Sequence, residues 1–309
     1  MSWDHLQLKP QIISAVQRAQ LKSVREILCV SGPDLQKRTG LSRSDVQELL
    51  HAAATASRTH QPVTALQLQR GECHRLESGL RLGTGCPVLD QLLRGGLPVG
   101  GVTELSGESG AGKTQLGLQL CLSVQYPVEH RGLSSGALYV CTEDPFPIKR
   151  LQQLISEQSV LRSDVPRSLI SGLQLTGVFV FRTLCRCEFQ PDDWLERNKQ
   201  LLTFSSMLHN LSQEFTTPIL CINQVTDVFN QSANSLSSPS SSVCPALGLA
   251  WANQVMVRLM MRRLQGKVFL GDQSSALRRL EVVFAPHLAR NSRDIGVWRE
   301  GLRAVLDPD

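Results

Sequence analysis

Residues 101–114 read GVTELSGESGAGKT, and this stretch decides the fold. Its first part is a short apolar segment of the kind that forms a buried strand. Its second part, residues 107–114, matches the pattern GxxxxGK followed by Ser or Thr at every fixed position. The next stretch, residues 114–124, is amphipathic and predicts a helix. Because the loop lies between a strand and a helix, the sequence favours a phosphate-binding loop over a chance run of glycines.

Glycines in such a loop let the backbone curl, so that successive N–H groups point at a bound phosphate. The following helix adds the partial positive charge of its N-terminus. We expect Lys113 to reach the β- and γ-phosphates of ATP, and the Thr114 hydroxyl to ligate Mg²⁺. The candidate nucleotide-binding residues are the whole loop, namely Gly107, Glu108, Ser109, Gly110, Ala111, Gly112, Lys113 and Thr114.

Apolar runs and helical stretches alternate along the rest of the chain. Residues 137–142 (ALYVCT) and 218–223 (PILCIN) have the near-continuous apolar character of strands that are buried on both faces. Residues 201–215, between them, have helical periodicity. Strands that alternate with helices predict an α/β core, residues 81–309, with a mostly parallel twisted sheet flanked by helices.

The first 58 residues predict a small all-helical domain. Ile12 and Val16 fall on one face at helical spacing. A helix is expected to begin near Ser31 and to end at Gly40, and Ser42 can cap the next helix. These short helices fit a helix–hairpin–helix module and equally a helical domain that binds another protein. Residues 59–80 turn polar and predict a linker.

The composition excludes several classes of protein. Of the 309 residues, 41% are hydrophobic and 19% are charged, as in a globular protein. No uncharged apolar run is long enough to cross a bilayer, and the N-terminus lacks the apolar segment of a signal peptide. Several of the nine cysteines lie in apolar runs, which is typical of reduced thiols in an intracellular protein. The Cys185–Cys187 pair has no partners at metal-ligand spacing.

Three further segments carry a family resemblance. Residues 85–96 (GCPVLDQLLRGG) lead into the loop, residues 139–143 read YVCTE, and residues 220–225 read LCINQV. In these segments the chain resembles the RecA-like recombinases, and its helical N-terminus with a linker resembles their eukaryotic branch. The resemblance implies a RecA-type ATP-binding core in which Glu143 polarises the water that attacks the γ-phosphate. It also implies that Gln224 senses that phosphate and couples it to a loop, residues 226–243, that contacts single-stranded DNA.

The residues themselves leave alternatives open at both catalytic candidates. A carboxylate at the end of a strand beside the loop suits the role of Glu143, but a surface acid or a helix cap also fits. Gln224 is equally compatible with a polar residue that ends a strand. The Ser-rich segment 230–243 lacks the basic and aromatic residues that bind phosphates and bases. The net charge of +5 permits nucleic-acid binding without arguing for it.

One element of the family is missing from this sequence. Between the counterparts of Glu143 and Gln224, the family has a strand that ends in the Walker B Asp, which orders Mg²⁺. Here the strand-like segment 177–181 (GVFVF) is followed by Arg182, and the interval is shorter by about forty residues. We therefore predict an internal deletion near residues 181–185, with divergence and another metal-ordering acid as the alternative. The deletion leaves ATP hydrolysis in doubt even where nucleotide binding survives.

The linker departs from the family as well. Recombinases of this kind carry a Phe-x-x-Ala motif that docks on the next protomer, whereas Pro62, Val63, Thr64 and Ala65 lack the aromatic anchor. We therefore expect a hetero-oligomer in preference to a long homofilament.

The resemblance also implies a role and partners. The role is homologous-recombination repair of double-strand breaks and stalled forks in the nucleus, with a cytoplasmic pool as a further option. The partners are single-stranded or branched DNA and another paralogue, the C paralogue of the family, with no membrane. The alternatives are a filament-forming strand-exchange recombinase and a non-hydrolysing structural subunit.

Overall fold

A computed structural model describes residues 8–57, 64–70, 79–142, 145–175, 178–182, 193–228 and 242–305. Glu143, the Cys185–Cys187 pair, Pro62, Val63 and most of the expected DNA-contacting loop lie outside these residues. The chain divides into two compact units, Met1–Arg75 and Leu76–Asp309, which we describe separately.

The N-terminal unit contains short helices: α1 (Pro10–Arg18), α2 (Val24–Leu28), α3 (Gly32–Thr39), α4 (Arg43–Ala56) and α5 (Ala65–Arg70). The side chains of Ser23, Ser31 and Ser42 cap three of them by accepting a backbone N–H bond from the third residue along. Gly40 ends α3 in the left-handed conformation, at a φ of 68°. The core is made of buried apolar side chains from α1 to α4, namely Ile12, Ala15, Val16, Ile27, Leu35, Val46, Leu49 and Ala53. The helical domain is confirmed, with the helix starts at Ser31 and Ser42 as expected.

The second unit is α/β. Its helices are α6 (Pro87–Leu92), α7 (Lys113–Ser123), α8 (Ile148–Ser156), α9 (Gln158–Leu161), α10 (Arg167–Ser171), α11 (Trp194–Glu214) and α12 (Gly248–Ala252). Its strands are β1 (Arg81–Leu82), β2 (Leu97–Pro98), β3 (Val102–Gly107), β4 (Ala137–Cys141), β5 (Val178–Arg182), β6 (Ile219–Asn223), β7 (Val225–Val228), β8 (Ser242–Pro245), β9 (Val257–Leu270), β10 (Gln273–Phe284), β11 (Ser292–Val297) and β12 (Leu302–Ala304). The strands expected at 101–105, 137–142 and 218–223 and the helix expected at 114–124 are present within a few residues. The helix expected at 201–215 is present as α11, which begins seven residues earlier.

The main sheet has six strands in the order β12-β11-β10-β9-β3-β6. Strand β3 runs parallel to both β6 and β9, but β9 to β12 pair antiparallel. The expectation of a mostly parallel sheet is therefore wrong for its C-terminal half, and the sheet is mixed. The physical reason is connectivity, since consecutive strands joined by short turns can pair only in the antiparallel direction.

Side chains of β3 alternate between two apolar layers. Leu105 packs with α6 and α7 in a core that includes Leu116 and Leu259. Val102, on the opposite face, packs against Trp251 of α12 and against residues of α11. All six residues of β3 are buried, so the strand that ends in the phosphate loop lies at the centre of the unit.

The sheet is interrupted next to β6. Strand β6 is the last strand of the six, whereas β4 pairs in parallel with β5 in a separate two-stranded sheet. Both β4 and β6 nevertheless reach α7, because a Cβ built on Gly117 would lie 3.4 Å from Ile222 and 3.7 Å from Tyr139. Loss of a strand between β6 and β4 would produce this arrangement.

Candidate nucleotide-binding site

Strand β3 delivers the glycine-rich loop to the edge of the sheet where its parallel strands end. At Gly107 a Cβ atom would lie 2.2 Å from the carbonyl oxygen of Met261 on β9, so no larger residue fits. The loop then turns through Gly110 and Gly112, whose φ angles of 74° and 103° favour glycine. Helix α7 begins directly afterwards at Lys113, so the first N–H groups of the helix open onto the loop.

Lys113 lies over the loop that it belongs to. Its Nζ donates to the carbonyl oxygens of Gly107 at 2.5 Å and of Glu108 at 2.9 Å. Thr114 is exposed in the first turn of α7. The Lys113 ammonium group and the first N–H groups of α7 thus lie at the loop, and these are the groups that bind nucleotide phosphates.

Gln224 reaches the same edge from the neighbouring strand. Ser106 of β3 stands opposite Asn223 of β6, so Gln224 follows at the level of Gly107. Its side chain is exposed, and its carbonyl oxygen accepts the N–H of Ala246 at 2.9 Å. The structure therefore brings Gln224 beside the loop. Glu143 comes two residues after the end of β4 and lies outside the described residues.

No acidic residue ends the strand that was the candidate for metal ordering. The expected strand at 177–181 is present as β5, and its last residue is Arg182, paired in register with Cys141 of β4. Within the residues that the structure describes, no group of three His, Cys, Asp or Glu side chains could hold a metal ion.

A buried polar network lies behind the loop, and sequence reasoning missed it. Glu104 of β3 is fully buried, and its Oε1 accepts bonds from Asn223 Nδ2 at 2.7 Å and from Trp251 Nε1 at 3.0 Å. Its Oε2 accepts a bond from Nε of Arg258 on β9. The one available signal was a carboxylate in an otherwise apolar strand, because such a group needs partners when it is buried. The network connects the strand before the loop with the residue that precedes Gln224.

Asp90, in the segment that carried the family resemblance, has a structural role. Its Oδ1 accepts bonds from Thr84 N at 2.6 Å and Thr84 Oγ1 at 2.8 Å, and its Oδ2 lies 3.3 Å from Arg131 Nη1. Burial raises the pKa of this carboxyl, although the bonds from Thr84 and Arg131 act in the opposite direction. Asp90 thus fixes the chain that leads towards β3.

Comparison with known proteins agrees with both units. A model of the XRCC3/RpoA-like helix-hairpin-helix domain matches residues 3–57, and a model of the Rad51 family matches residues 75–170. The chain is 43% identical to the DNA repair protein XRCC3 of Mus musculus, over 99% of this chain and 98% of that protein. It is 44% identical to XRCC3 of Bos taurus over the same shares, and 29% identical to RAD51 homolog 2 of Mus musculus over 84% of this chain.

The alignment with the mouse protein also bears on the missing strand. It is 343 residues long, whereas this chain has 309 residues in all. More than thirty positions of the alignment therefore have no counterpart in this chain. A deficit of this size matches the segment whose absence was inferred from the sequence. In the part of the chain that the structure describes, no helix has the length and apolar character needed to cross a membrane.

Proposed function

This chain belongs to the Rad51 family of RecA-like recombination-repair proteins, and on that premise we propose that it binds ATP with Mg²⁺ at residues 107–114. The observation that carries the proposal is the position of Lys113. Its ammonium group donates to the carbonyl oxygens of Gly107 and Glu108 in the loop that leads into the N-terminus of α7. A phosphate that enters the loop would replace the two carbonyl oxygens as the partner of this ammonium group. Gly107, Glu108, Ser109, Gly110, Ala111 and Gly112 would contribute the backbone cradle, and Thr114 would ligate the metal.

We further propose that nucleotide binding and hydrolysis are separable in this chain. Gln224 is suited to sense the terminal phosphate because it lies beside the loop, and Glu143 is the proposed residue that polarises water. The carboxylate that should order Mg²⁺ has no candidate at the end of β5, where Arg182 stands. We therefore expect tight binding of ATP with little turnover.

In the cell, we propose that the chain acts in a complex with another recombinase paralogue on single-stranded or branched DNA in the nucleus. The C paralogue of the family is the proposed partner, as the resemblance implies. The absent aromatic anchor at residues 62–65 favours such a complex over a long homofilament. A second candidate is a non-hydrolysing subunit whose nucleotide is structural, and Arg182 in place of an acid favours it.

The first test is thermal unfolding of the purified chain with and without Mg-ATP. A ligand that binds only the folded state raises the transition temperature, and at a concentration of 100 times Kd it adds about 2.7 kcal/mol. We expect a rise for the native chain and none for Lys113→Ala. The control is Lys149→Ala on α8, which should keep the full shift. A rise that persists unchanged in Lys113→Ala would place the nucleotide elsewhere and contradict the proposal.

A turnover assay tests whether binding is separate from hydrolysis. ATP hydrolysis at the rate of an intact family ATPase would contradict the separation of binding from hydrolysis. If binding is confirmed without turnover, the paralogue complex should assemble equally well with ATP and with a non-hydrolysable analogue.

A further inference from the structure

Arg278 contacts the phosphate loop from a distant part of the chain. It lies on β10, two strands from β3 on the side away from β6. Its Nε donates to the carbonyl oxygen of Gly110 at 3.2 Å. A Cβ built on Gly112 would lie 3.5 Å from its Cδ. The side chain therefore runs along the outer wall of the loop at both glycines.

The guanidinium group is itself held in place. Its Nη1 donates to the carbonyl oxygen of Ala276 at 2.7 Å and to Ser275 Oγ at 3.1 Å. Ser275 Oγ in turn accepts the N–H of Val297 on β11 at 2.9 Å. Because the fork of an arginine is planar and rigid, its hold on β10 fixes the direction in which Nε points. The loop is thereby connected to the antiparallel half of the sheet.

A second arginine stands next to Arg278. Arg263 of β9 is directly opposite it in the antiparallel register, and Arg263 is exposed. Burial and the nearby charge of Arg263 lower the pKa of Arg278. Among the described residues, neither arginine forms a salt bridge.

The arginines one position along behave differently. Arg262 pairs with Glu281 at 3.1 Å, and Arg279 pairs with Asp294 at 2.6 Å. Because successive side chains of a strand point to opposite faces, these two pairs lie on the other face of the sheet. Of these four arginines, the two without a carboxylate partner among the described residues thus lie on the face that carries the phosphate loop. Two like charges held side by side favour an anion nearby.

We propose that Arg278 is a positioning residue of the nucleotide site: it braces the phosphate loop, and with Arg263 it supplies positive charge towards the nucleotide phosphates. The inference rests on the proposed function, since it concerns the same loop. It adds two residues from outside the sequence motif, one of which acts through the backbone of Gly110 and one through charge alone.

The test is titration of the chain with a fluorescent ATP analogue in Mg²⁺. For Arg278→Ala we expect a loss of about tenfold in affinity, the size that one charge-assisted hydrogen bond supports. The matched controls are Arg279→Ala and Arg262→Ala, each one position away on the opposite face, and they should bind within about twofold of the native chain. Equal affinities for Arg278→Ala and Arg279→Ala would overturn the inference.

Two further variants separate the brace from the charge. Arg278→Lys keeps the charge but loses the planar fork. It should therefore bind the ATP analogue about as weakly as Arg278→Ala does, while its affinity depends on salt as that of the native chain does. Arg263→Ala removes one positive charge but leaves the bond from Arg278 to Gly110 in place. This variant should therefore reduce the salt dependence of binding. An Arg278→Lys variant that binds as tightly as the native chain would contradict the brace.

Hydrogen exchange of the loop amides gives a readout that needs no nucleotide. Arg278→Ala should speed exchange at residues 108–112, and Arg279→Ala should not. Faster exchange, together with a native chain that binds no nucleotide, would contradict the proposed function but support the brace. Unchanged exchange in Arg278→Ala would overturn the brace whatever the nucleotide does.

Discussion

Glu104 places a carboxylate in the buried interior of the core, where three partners hold it. Asn223 and Trp251 donate to one oxygen, and Arg258 donates to the other. Atom Nη2 of Arg258 is buried without a hydrogen-bond partner among the described residues, so this guanidinium relies heavily on Glu104. Glu104 therefore contributes to the position of the phosphate loop after β3 and to the position of β6, the strand that leads to Gln224.

We predict that Glu104→Ala lowers the free energy of unfolding by about 3–5 kcal/mol, because it leaves a buried guanidinium without its counter-charge. Urea denaturation measures this loss. The matched control is Glu281→Ala, which removes the carboxylate of the more exposed Arg262–Glu281 pair and should cost no more than about 1 kcal/mol. Similar losses in the two variants would show that the Glu104 network is no stronger than a surface pair.

His287 gives the stability a dependence on pH. Burial, followed by the charges of Arg81 and Arg94, lowers the pKa of this imidazole from its ordinary value of 6.5. The unfolded chain therefore binds a proton at this imidazole more readily than the folded chain does. The folded state loses stability relative to the unfolded state as the pH falls from the unfolded pKa through the lower folded pKa. We expect the melting temperature to drop between pH 7 and pH 5, and to drop less in His287→Gln. Equal drops in both chains would rule out a contribution from this residue.

At the scale of elements, the apolar surface of helix α11 extends beyond the side that packs against the sheet. Leu201 and Leu208 pack towards Val102 and Trp251 beneath the sheet. An exposed apolar stripe at helical spacing continues from that side and is made of Phe204, Met207, Leu211 and, just after the helix, Phe215. Phe204 also stacks on Trp251, with 6.4 Å between the ring centroids. Ile222 of β6 and Val140 of β4 are also largely exposed, although both strands belong to a parallel architecture that is normally covered. Apolar side chains are thus exposed on both strands that flank the interruption of the sheet.

We predict that the chain binds a hydrophobic dye more strongly than a folded monomer of its size, and that light scattering rises with its concentration. The double substitution Met207→Glu with Leu211→Glu should reduce both signals, because it places charge in the stripe. Leu249→Glu, at an exposed position on α12 outside the stripe, is the control and should change little. If Leu249→Glu lowered dye binding and light scattering as much as the double substitution does, the stripe would not be the surface that binds the dye and associates.

At the scale of the whole molecule, the N-terminal unit and the core are built on different principles. The helical unit obtains its order from capped short helices around one small core. The core depends on contacts between residues that are far apart in the chain, since β3 pairs with both β6 and β9. A change in the strand order of the core therefore alters the nucleotide site, whereas the N-terminal unit can keep its own fold.

The sequence by itself determined the phosphate loop, the helix starts at Ser31 and Ser42, and the positions of β3, β4, β6 and α7 around the site. These features depend on residues within a few positions of one another, because caps, glycine turns and apolar periodicity are local. The absence of the family strand near residues 181–185 remains a prediction from the sequence.

Only the tertiary structure decided which distant residues meet at the loop. Arg278 contacts Gly110 across 168 positions of sequence, and Arg258 contacts Glu104 across 154. The antiparallel half of the sheet was likewise not predicted. Neither strand direction nor these contacts follow from a local pattern, because each depends on the order in which strands assemble into one sheet.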